Sequence, residues 1–316
     1  MIVTVTLNAA LDRTVRVPNF QLGGRHRSDS SLRLPGGKGV NIARALRSLG
    51  QPVIATGLAG GRTGLQIIEE LTAEGILNDF VRIADESRTS TAVIDPTNNQ
   101  QTEINEYGPS VQAAELEVLV DKIRYLSKGA DVFVLAGSLP RDVPSDYYEV
   151  LLRELRQVKT VTAVDAAGPA LRAALTAEPG VVSPNVREAE EIVGHEFGDD
   201  EDMAAGVGTL AHMGAETALI HHEGGCVAHV RTAAGKRGST FAAHLPPRTD
   251  VVSTVGSGDA FLAGYLSARY RHQPVEASLA LAVACGAANT QRFGAGVFDP
   301  SDVESLMRRV EVERMA

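Results

Sequence analysis

The sequence contains no tryptophan, only two cysteines and no long uninterrupted hydrophobic stretch. The missing tryptophan excludes nothing, but Cys226 and Cys285 are too few for a disulfide framework, which favours a reducing, cytoplasmic environment. No stretch approaches the roughly 20 apolar residues that span a bilayer, and residues 1–5 form an apolar β-rich run, so we expect no secretory signal. A net charge of −9 argues against nucleic acid or an anionic membrane as the main partner. Local cations could still bind a phosphorylated substrate, because salt screens distant charges.

Short β-rich apolar segments alternate with helical patterns along most of the 316 residues, of which 44% are hydrophobic. This alternation predicts an α/β fold with a mainly parallel central sheet and helices on both faces, in a single domain over 1–316. The predicted strands are 2–7, 53–58, 131–135, 160–164, 180–183, 217–221, 226–231 and 239–244. The predicted helices are 39–49, 62–74, 112–128, 145–157, 186–193, 202–213 and a helical region from 258 through 292.

Two polar segments, about 12–34 and 87–107, interrupt this alternation. They are rich in Arg, Ser, Thr and Asn, and their side chains alternate as in exposed strands. Residues 95–99, with the sequence Asp-Pro-Thr-Asn-Asn, suit a turn between two strands of a hairpin. We therefore predict a small antiparallel β lid on one edge of the domain, with a pair of surface loops as the alternative.

The most informative motif is the stretch 253–264, in which Gly256, Ser257, Gly258 and Asp259 follow an extended segment and open a helical pattern. Backbone N–H groups at such a helix start suit anionic oxygens. A carboxylate on the first turn can take a proton from a hydroxyl held near the same anion. This pairing is what phosphoryl transfer needs, although an ordinary glycine-rich turn before a helix is the alternative.

A second glycine-rich motif, at 35–45, reads PGGKGVNIARA. Its glycines allow a close approach of the backbone to a ligand. Lys38 supplies a mobile cation, and Asn41 offers a donor and an acceptor one turn later. The motif is not a phosphate-binding loop of the Walker A type, because that loop needs glycine at Leu32 and serine or threonine at Gly39. The later motif likewise fails as a dinucleotide fingerprint.

Together with the segments 6–14, 102–106, 137–140 and 183–188, these two motifs resemble the PfkB (ribokinase-like) carbohydrate kinase family. Within that family the chain resembles the branch of 1-phosphofructokinase and tagatose-6-phosphate kinase. The resemblance implies a ribokinase-like three-layer α/β/α sandwich and ATP- and Mg²⁺-dependent phosphorylation of a ketohexose phosphate. Fructose 1-phosphate is the first candidate substrate, and tagatose 6-phosphate or fructose 6-phosphate is the near alternative. Kinases of a free sugar or nucleoside, and a non-catalytic sugar-phosphate-binding regulator, stay open as alternatives.

The resemblance also implies roles for individual residues. Asp259 would be the general base, and the backbone of Gly256, Ser257 and Gly258 would bind the transferring phosphoryl group. Residues that match sugar-hydroxyl positions are Asp12, Gly37 and Asn41. Residues that would bind the phosphate already carried by the substrate are Lys38, Arg88, Ser138 and Arg27, with solvated strand positions as the alternative for the two arginines.

The nucleotide side is implied in the same way. Asn185 and Glu188 match an N-x-x-E element that holds Mg²⁺ near the ATP phosphates, often through water, and Arg187 between them could reach a phosphate. The remaining nucleotide candidates are His221, Gly224, Gly225 and Asn289. The family commonly has Ser or Thr where this chain has His221, which puts that contact in doubt.

Two further expectations concern metals and assembly. The run His221-His222-Glu223 suggests a metal site at first sight. Consecutive strand residues point to opposite faces of a sheet, so they chelate one ion poorly, and we interpret the run as structural or nucleotide-adjacent. The resemblance also implies a homodimer formed through the lid.

Overall fold

The computed structural model describes residues 1–98, 100–231 and 238–315, which form fifteen strands and ten helices. The strands are β1 (Ile2–Thr6), β2 (Ala10–Arg16), β3 (Ser30–Gly36), β4 (Val53–Gly60), β5 (Leu77–Asn78), β6 (Val81–Ile83), β7 (Arg88–Asp95), β8 (Gln100–Asn105), β9 (Val132–Ala136), β10 (Val161–Asp165), β11 (Val181–Val182), β12 (Thr217–His222), β13 (Gly225–Val230), β14 (Ser239–His244) and β15 (Glu311–Arg314). The helices are α1 (Lys38–Ser48), α2 (Gly61–Ala73), α3 (Ala113–Leu126), α4 (Tyr147–Leu155), α5 (Gly168–Thr176), α6 (Val186–Val193), α7 (Asp200–His212), α8 (Ser257–Tyr270), α9 (Val275–Asn289) and α10 (Pro300–Met307). In the described ranges, no helix is long and apolar enough to cross a membrane.

The main sheet has the strand order β15-β14-β13-β12-β11-β10-β9-β1-β4-β5, with β6 also paired to β4. In this order, the consecutive strands β12, β11, β10, β9, β1, β4 and β5 run parallel to one another. Strands β13, β14 and β15 add an antiparallel extension at the β12 end. The central strand β1 is buried along its whole length. A parallel strand covered on both faces is rich in β-branched residues, and all five residues of β1 are β-branched.

Helices cover both faces of this sheet, which confirms the predicted three-layer α/β/α sandwich. Ile2 packs into a core with helices α1, α2, α8, α9 and α10. Val3 points to the other face, where the core includes α3 to α7. Each face thus receives every second side chain of a strand, as the two-residue period of a strand requires.

The segments set apart by their polarity form a second sheet of β3, β2, β7 and β8, in that order, which we call the lid. Its outer pairs are antiparallel as predicted, whereas its central pair, β2 and β7, is parallel. The reason is that β2 continues from β1 and β7 follows β6, and both parent strands run in the same direction in the main sheet. Asp95 links the two segments, because its carboxylate accepts hydrogen bonds from the backbone N–H groups of Asn19 and Phe20. Of the turn predicted at 95–99, Asn99 lies outside the described residues.

The elements differ from the prediction in a few places. The helical region 258–292 is two helices, interrupted where His272 adopts a positive φ of 56° and Pro274 precedes α9. The sequence analysis missed α5, α10 and three short strands, β5, β6 and β15. Helix α5 begins with Gly168 and Pro169, two residues that usually indicate a loop, although proline is well suited to the first turn of a helix.

Candidate active site

The site lies at the carboxyl ends of the parallel strands, which is where open α/β sheets bind ligands. Asp165 is the last residue of β10, Lys38 is the first residue of α1, and Asp259 lies in the first turn of α8. The lid contributes Asp12 and Arg88 from above. Five elements distant in sequence thus bring charged side chains to one edge of the sheet.

Helix α8 starts in the way that an anion site requires. Its N-cap residue, Gly256, has a left-handed φ of 76°, and a Cβ there would lie 2.5 Å from the Cα of Ala295. Only glycine fits this close approach in that conformation. No side-chain hydrogen bond caps the helix within the described part of the chain. The Ser257 N–H donates to the Thr254 carbonyl at 3.2 Å, so the N–H groups of Gly258 and Asp259 are the ones that this uncapped helix start offers to an anionic ligand.

Asp259 is buried, with 6% of its surface exposed, and Asn41 Nδ2 donates a 2.8 Å hydrogen bond to its Oδ2. Burial and, to a smaller extent, the neighbouring Asp165 carboxylate raise the pKa of Asp259 to about 7, against the opposing effects of Lys38 and Asn41. A carboxylate with this pKa is a stronger base than an ordinary aspartate and is still largely ionised just above neutrality.

Lys38 connects two carboxylates that come from different strands and helices. Its Nζ lies 2.6 Å from Oδ1 of Asp165 and 3.4 Å from Oε1 of Glu188. Burial lowers the pKa of Lys38, but Asp165 and Glu188 together raise it above its ordinary value, so the ammonium stays charged. The sequence analysis missed Asp165. An aspartate at the end of an otherwise apolar strand was the signal that could have indicated it.

Two cavities meet beside Lys38. The first, of about 320 Å³, lies between the lid and α1, and its lining includes Asp12 and Asn41. The second, of about 510 Å³, is lined by Ser138 and Glu188 among others. Gly37, Lys38 and Arg88 line both cavities. A ligand in either cavity can therefore contact the same two cationic side chains.

The carboxylate of Asp12, on lid strand β2, lies close to Gly36 at the end of lid strand β3. A Cβ added at Gly36 would be 2.0 Å from Asp12 Oδ2. Burial raises the pKa of Asp12 to about 6, although Arg88 and Arg44 lower it. Asp12 thus offers a carboxylate to the first cavity, and its role in holding sugar hydroxyls stays a prediction.

Arg44 was missed by the sequence analysis. It is buried, and it donates hydrogen bonds to Asn41 Oδ1 at 3.3 Å, to the Pro35 carbonyl at 2.6 Å and to Glu74 at 2.7 Å. The contact with Asn41 occupies the amide oxygen, so the amide nitrogen faces Asp259. Arg44 therefore positions Asn41 without lying next to Asp259.

Two of the remaining phosphate candidates lie together and the third does not. Arg88 donates to the carbonyl of Asn8 at 3.2 Å, and Asn8 Nδ2 donates to Ser138 Oγ at 3.1 Å. Arg27 is exposed in the loop between β2 and β3, and it lines neither cavity among the residues that the structure describes. The structure therefore brings Arg88 and Ser138 together but leaves Arg27 outside.

The N-x-x-E element forms the start of α6. Asn185 Oδ1 accepts from the Glu188 N–H at 3.0 Å, and Glu188 Oε2 accepts from the Asn185 N–H at 3.0 Å, which is a capping box. This reciprocal pair engages the Asn185 oxygen and one Glu188 oxygen, and leaves Glu188 Oε1 facing Lys38. Arg187 is exposed and is not among the described residues that line the two cavities.

The predicted nucleotide residues divide into two groups. The ring of His221 lies against Gly258, where a Cβ would be 2.8 Å from its Cε1, and burial lowers its pKa to about 4, so it is neutral. Gly224 lies in the turn between β12 and β13, and Gly225 is the first residue of β13. Asn289 is buried and uses both ends of its amide, donating to the Val255 carbonyl and accepting from the N–H of Gly296. His221 thus borders the anion site, whereas Asn289 positions loops.

An uncapped helix start beside a buried carboxylate suits the transfer of a phosphoryl group to a hydroxyl, which is the chemistry of a kinase. Residues 6–302 match the model of the pfkB family carbohydrate kinases, and the chain belongs to that family. It is therefore a carbohydrate kinase, a phosphotransferase that acts on an alcohol group. Membership implies ATP as the phosphoryl donor together with a divalent metal ion.

Individual relatives agree with this assignment. The chain is 31% identical to a 1-phosphofructokinase from Rhodobacter capsulatus over 315 residues, which cover 99% of this chain and 98% of that protein. The structure of a possible 1-phosphofructokinase from Thermotoga maritima is 26% identical with a TM-score of 0.88, covering 100% of both chains. The structure of phosphofructokinase-2 from Escherichia coli in complex with fructose-6-phosphate is 25% identical with a TM-score of 0.86, covering 97% of this chain and 98% of that one.

Proposed function

We propose that the protein transfers the γ-phosphoryl group of ATP to a hydroxyl of a ketohexose phosphate, with fructose 1-phosphate giving fructose 1,6-bisphosphate as the leading reaction. The observation that carries the proposal is the pair Lys38 and Arg88, which lines both cavities, the first of them also lined by Asn41, the hydrogen-bond partner of the buried base Asp259. Two cations at the acceptor site suit a sugar that already carries a phosphate, because arginine and lysine bind phosphate oxygens directly. The relative from R. capsulatus, a 1-phosphofructokinase, supports the same substrate.

The chemistry follows from the placement of Asp259. Its carboxylate accepts the proton of the sugar hydroxyl as that oxygen attacks the γ-phosphorus, and the bond between this phosphorus and the ADP oxygen breaks. Asn41 holds the carboxylate in place, and the N–H groups at the start of α8 stabilise the negative charge on the transferring group. Asp12 and Asn41 would hold other hydroxyls of the sugar. The protein contributes mainly the alignment of the reacting groups and the stabilisation of charge, which dominate such reactions.

The donor set also fits a divalent metal ion, which we propose to be Mg²⁺. Glu188 Oε1 is the carboxylate oxygen outside the capping box, and Asp165 supplies a second buried carboxylate nearby. Mg²⁺ keeps several waters, so one or two carboxylates suffice to hold it. Asn185 would position Glu188 rather than ligate. When bound, the ion neutralises charge on the ATP phosphates, and His221 and the Gly224–Gly225 turn would border the nucleotide.

Lys38, Arg88 and Ser138 are the residues that we propose for the phosphate of the substrate. Fructose 6-phosphate and tagatose 6-phosphate are the near alternatives, because they present the same phosphate with the opposite end of the sugar facing Asp259. Because the similar E. coli structure holds fructose 6-phosphate, the substrate panel below includes that sugar.

The experiment measures ADP release with Mg-ATP and a panel of fructose 1-phosphate, fructose 6-phosphate, tagatose 6-phosphate and free fructose. We expect one ketose phosphate to react at least about 100-fold faster, in kcat/KM, than free fructose, in line with a lost charge-assisted contact of about 1.5–3 kcal/mol at each cation. Faster turnover of free fructose would contradict the proposal. Ligand-induced thermal stabilisation without ADP release would indicate a binding protein instead.

We propose in addition that the lid mediates a homodimer. Strand β8 is the edge of the lid and is exposed at each of its six residues, and Ile104 on it has 61% of its surface exposed. An exposed edge strand with an apolar side chain is a template for pairing with another chain. Sedimentation equilibrium should show a dimer for the wild type and a weaker dimer for Ile104→Asp, with exposed Leu77→Asp on β5 as the control. A monomeric wild type would contradict the proposal.

A further inference from the structure

A cluster of three metal-ligand side chains lies outside the active site, where α7 packs on the main sheet. Asp200 is the first residue of α7, His222 is the last residue of β12, and His244 is the last residue of β14. One nitrogen or oxygen ligand atom of each lies within 4.8 Å of those of the other two. We propose that these side chains form a binding site for a divalent transition-metal ion of the Zn²⁺ class.

The sheet register explains why the two histidines meet. His222 pairs with Gly225 on β13, and Gly225 pairs in turn with His244 on β14. Residues directly opposite each other across strands point to the same face, so both imidazoles lie on one face, two strands apart. Gly225 between them has no side chain, and the ring centroids approach to 6.4 Å. The two rings therefore approach each other with no side chain at position 225 between them.

The third ligand closes the set from the helix above. Oδ2 of Asp200 lies 2.9 Å from Nε2 of His244. Nε2 of His222 is buried and has no hydrogen-bond partner in the described part of the chain. A buried ring nitrogen without a partner is unusual in a folded protein, and a metal ion bound there would satisfy it.

The chemistry of the three donors selects the class of metal. Two imidazoles and one carboxylate suit Zn²⁺ and its neighbours, whereas Mg²⁺ prefers oxygen ligands alone. Metal–ligand bonds of 2.0–2.1 Å in a tetrahedral site place the ligand atoms about 3.3 Å apart. The three ligand atoms, which lie within 4.8 Å of one another, must therefore move slightly closer together. A water molecule takes the fourth position. All three residues are half-buried, which leaves them room to move. Ligation by His222 Nε2 places the proton on Nδ1, so the 3.2 Å hydrogen bond from the Gly224 N–H breaks when metal binds.

This site is separate from the active site. His221, the neighbour of His222, points to the opposite face of the sheet and contacts Gly258 at the start of α8. The core around α7 and the core around α8 are likewise on different faces. The proposed metal would therefore tie α7 to the ends of β12 and β14, on the face of the sheet opposite His221 and Gly258.

The test is isothermal titration of the chelator-treated full-length protein with Zn²⁺, in excess Mg²⁺ to occupy sites with oxygen ligands. The wild type should bind one Zn²⁺ per chain. Asp200→Asn, which keeps the size of the side chain, and His244→Ala should each weaken binding at least as much as the roughly 10–100-fold loss that follows removal of an outer-shell partner. His212→Ala changes an exposed histidine at the other end of α7 and serves as the matched control, with unchanged binding.

A second readout separates a ligand role from a structural one. Co²⁺ should give the intense visible absorption of a four- or five-coordinate site in the wild type and in His212→Ala, and lose it in His244→Ala. Turnover of the sugar phosphate with Mg-ATP should stay unchanged in His244→Ala, since His244 lines neither active-site cavity among the described residues. No Zn²⁺ binding at micromolar concentration, or equal binding by wild type, Asp200→Asn and His244→Ala, would overturn the proposal.

Discussion

Replacing Asp259 by asparagine should stabilise the protein above neutral pH while it abolishes turnover. The substitution keeps the shape of the side chain and its oxygen acceptor for Asn41 Nδ2, but it removes a charge from a site with 6% exposure. The carboxylate is a base held in an environment that disfavours its charged form, mainly through burial and then through Asp165. The charge that the reaction uses is therefore one that folding disfavours.

The sign and size of the effect follow from the pKa. Burial raises the pKa of Asp259 in the folded protein to about 7, above the ordinary value near 3.8 of the unfolded chain. The folded state then binds the proton more tightly, so the contribution of this group is fully present below pH 3.8 and is lost as the pH rises through 7. With about 1.4 kcal/mol for each pKa unit, the wild type should lose about 2–3 kcal/mol more than the variant between pH 5 and pH 8.

Urea unfolding measures the free energy of unfolding of the wild type and of Asp259→Asn at pH 5 and at pH 8. Comparing the two proteins at each pH cancels the contributions of the other titrating groups. The advantage of Asp259→Asn in the free energy of unfolding should be larger at pH 8 than at pH 5. An advantage that is equal at the two pH values, or that shrinks at pH 8, would refute the assignment of a raised pKa to Asp259. Unchanged m-values check that the unfolded states are comparable.

Three further substitutions test other parts of the site and fold. Lys38→Met should raise the KM for the sugar phosphate about 100-fold with a smaller effect on the KM for ATP, and an unchanged sugar-phosphate KM in steady-state assays would contradict the phosphate role. Arg44→Lys loses the planar group that holds Asn41, so kcat should fall about tenfold with little change in KM, and the melting temperature should drop. A change in KM alone would argue against a positioning role for Arg44. Gly225→Ala places a Cβ 1.9 Å from the Ala243 carbonyl oxygen and should lower the free energy of unfolding in urea by at least about 2 kcal/mol. An unchanged free energy of unfolding would be inconsistent with the register of β13 and β14.

Much of the fold could be predicted because the strands and most helices have clear hydrophobic periods. Strand β9 is a continuous apolar run, which is typical of strands buried on both faces, and β1 consists of β-branched residues throughout. Helix α5 was missed because Gly168 and Pro169 at its start resemble a loop. The parallel pairing of β2 with β7 depends on how the main sheet orients both strands, which no local pattern records. The extent of a single domain over 1–316 stays a prediction.

The site could be predicted only where its residues lie within a motif. Asp259, Lys38 and Asn41 were identified because glycines next to them indicate close approach to a ligand. Asp165 was missed because it meets Lys38 across 127 residues of sequence, and nothing near either residue indicates the other. Arg44 was missed for a different reason, since its role is to hold Asn41 from behind.

The same limit applies to the two histidines. The prediction that His221 and His222 do not chelate one ion together rests on the alternation of a strand, and the two rings do lie on opposite faces. Their individual neighbours come from the sheet register and from α7, which the local sequence does not contain. The cluster around His222 therefore became visible only in the folded protein.

The measurement that tests the central claim most directly is single-turnover phosphoryl transfer by Asp259→Asn, with the reactive sugar phosphate and Mg-ATP both prebound. If Asp259 is the general base, the variant should bind both substrates within about threefold of the wild type and transfer the phosphoryl group about 10²–10⁴-fold more slowly. Transfer at the wild-type rate would contradict the account, because the proton would then leave the hydroxyl by another path.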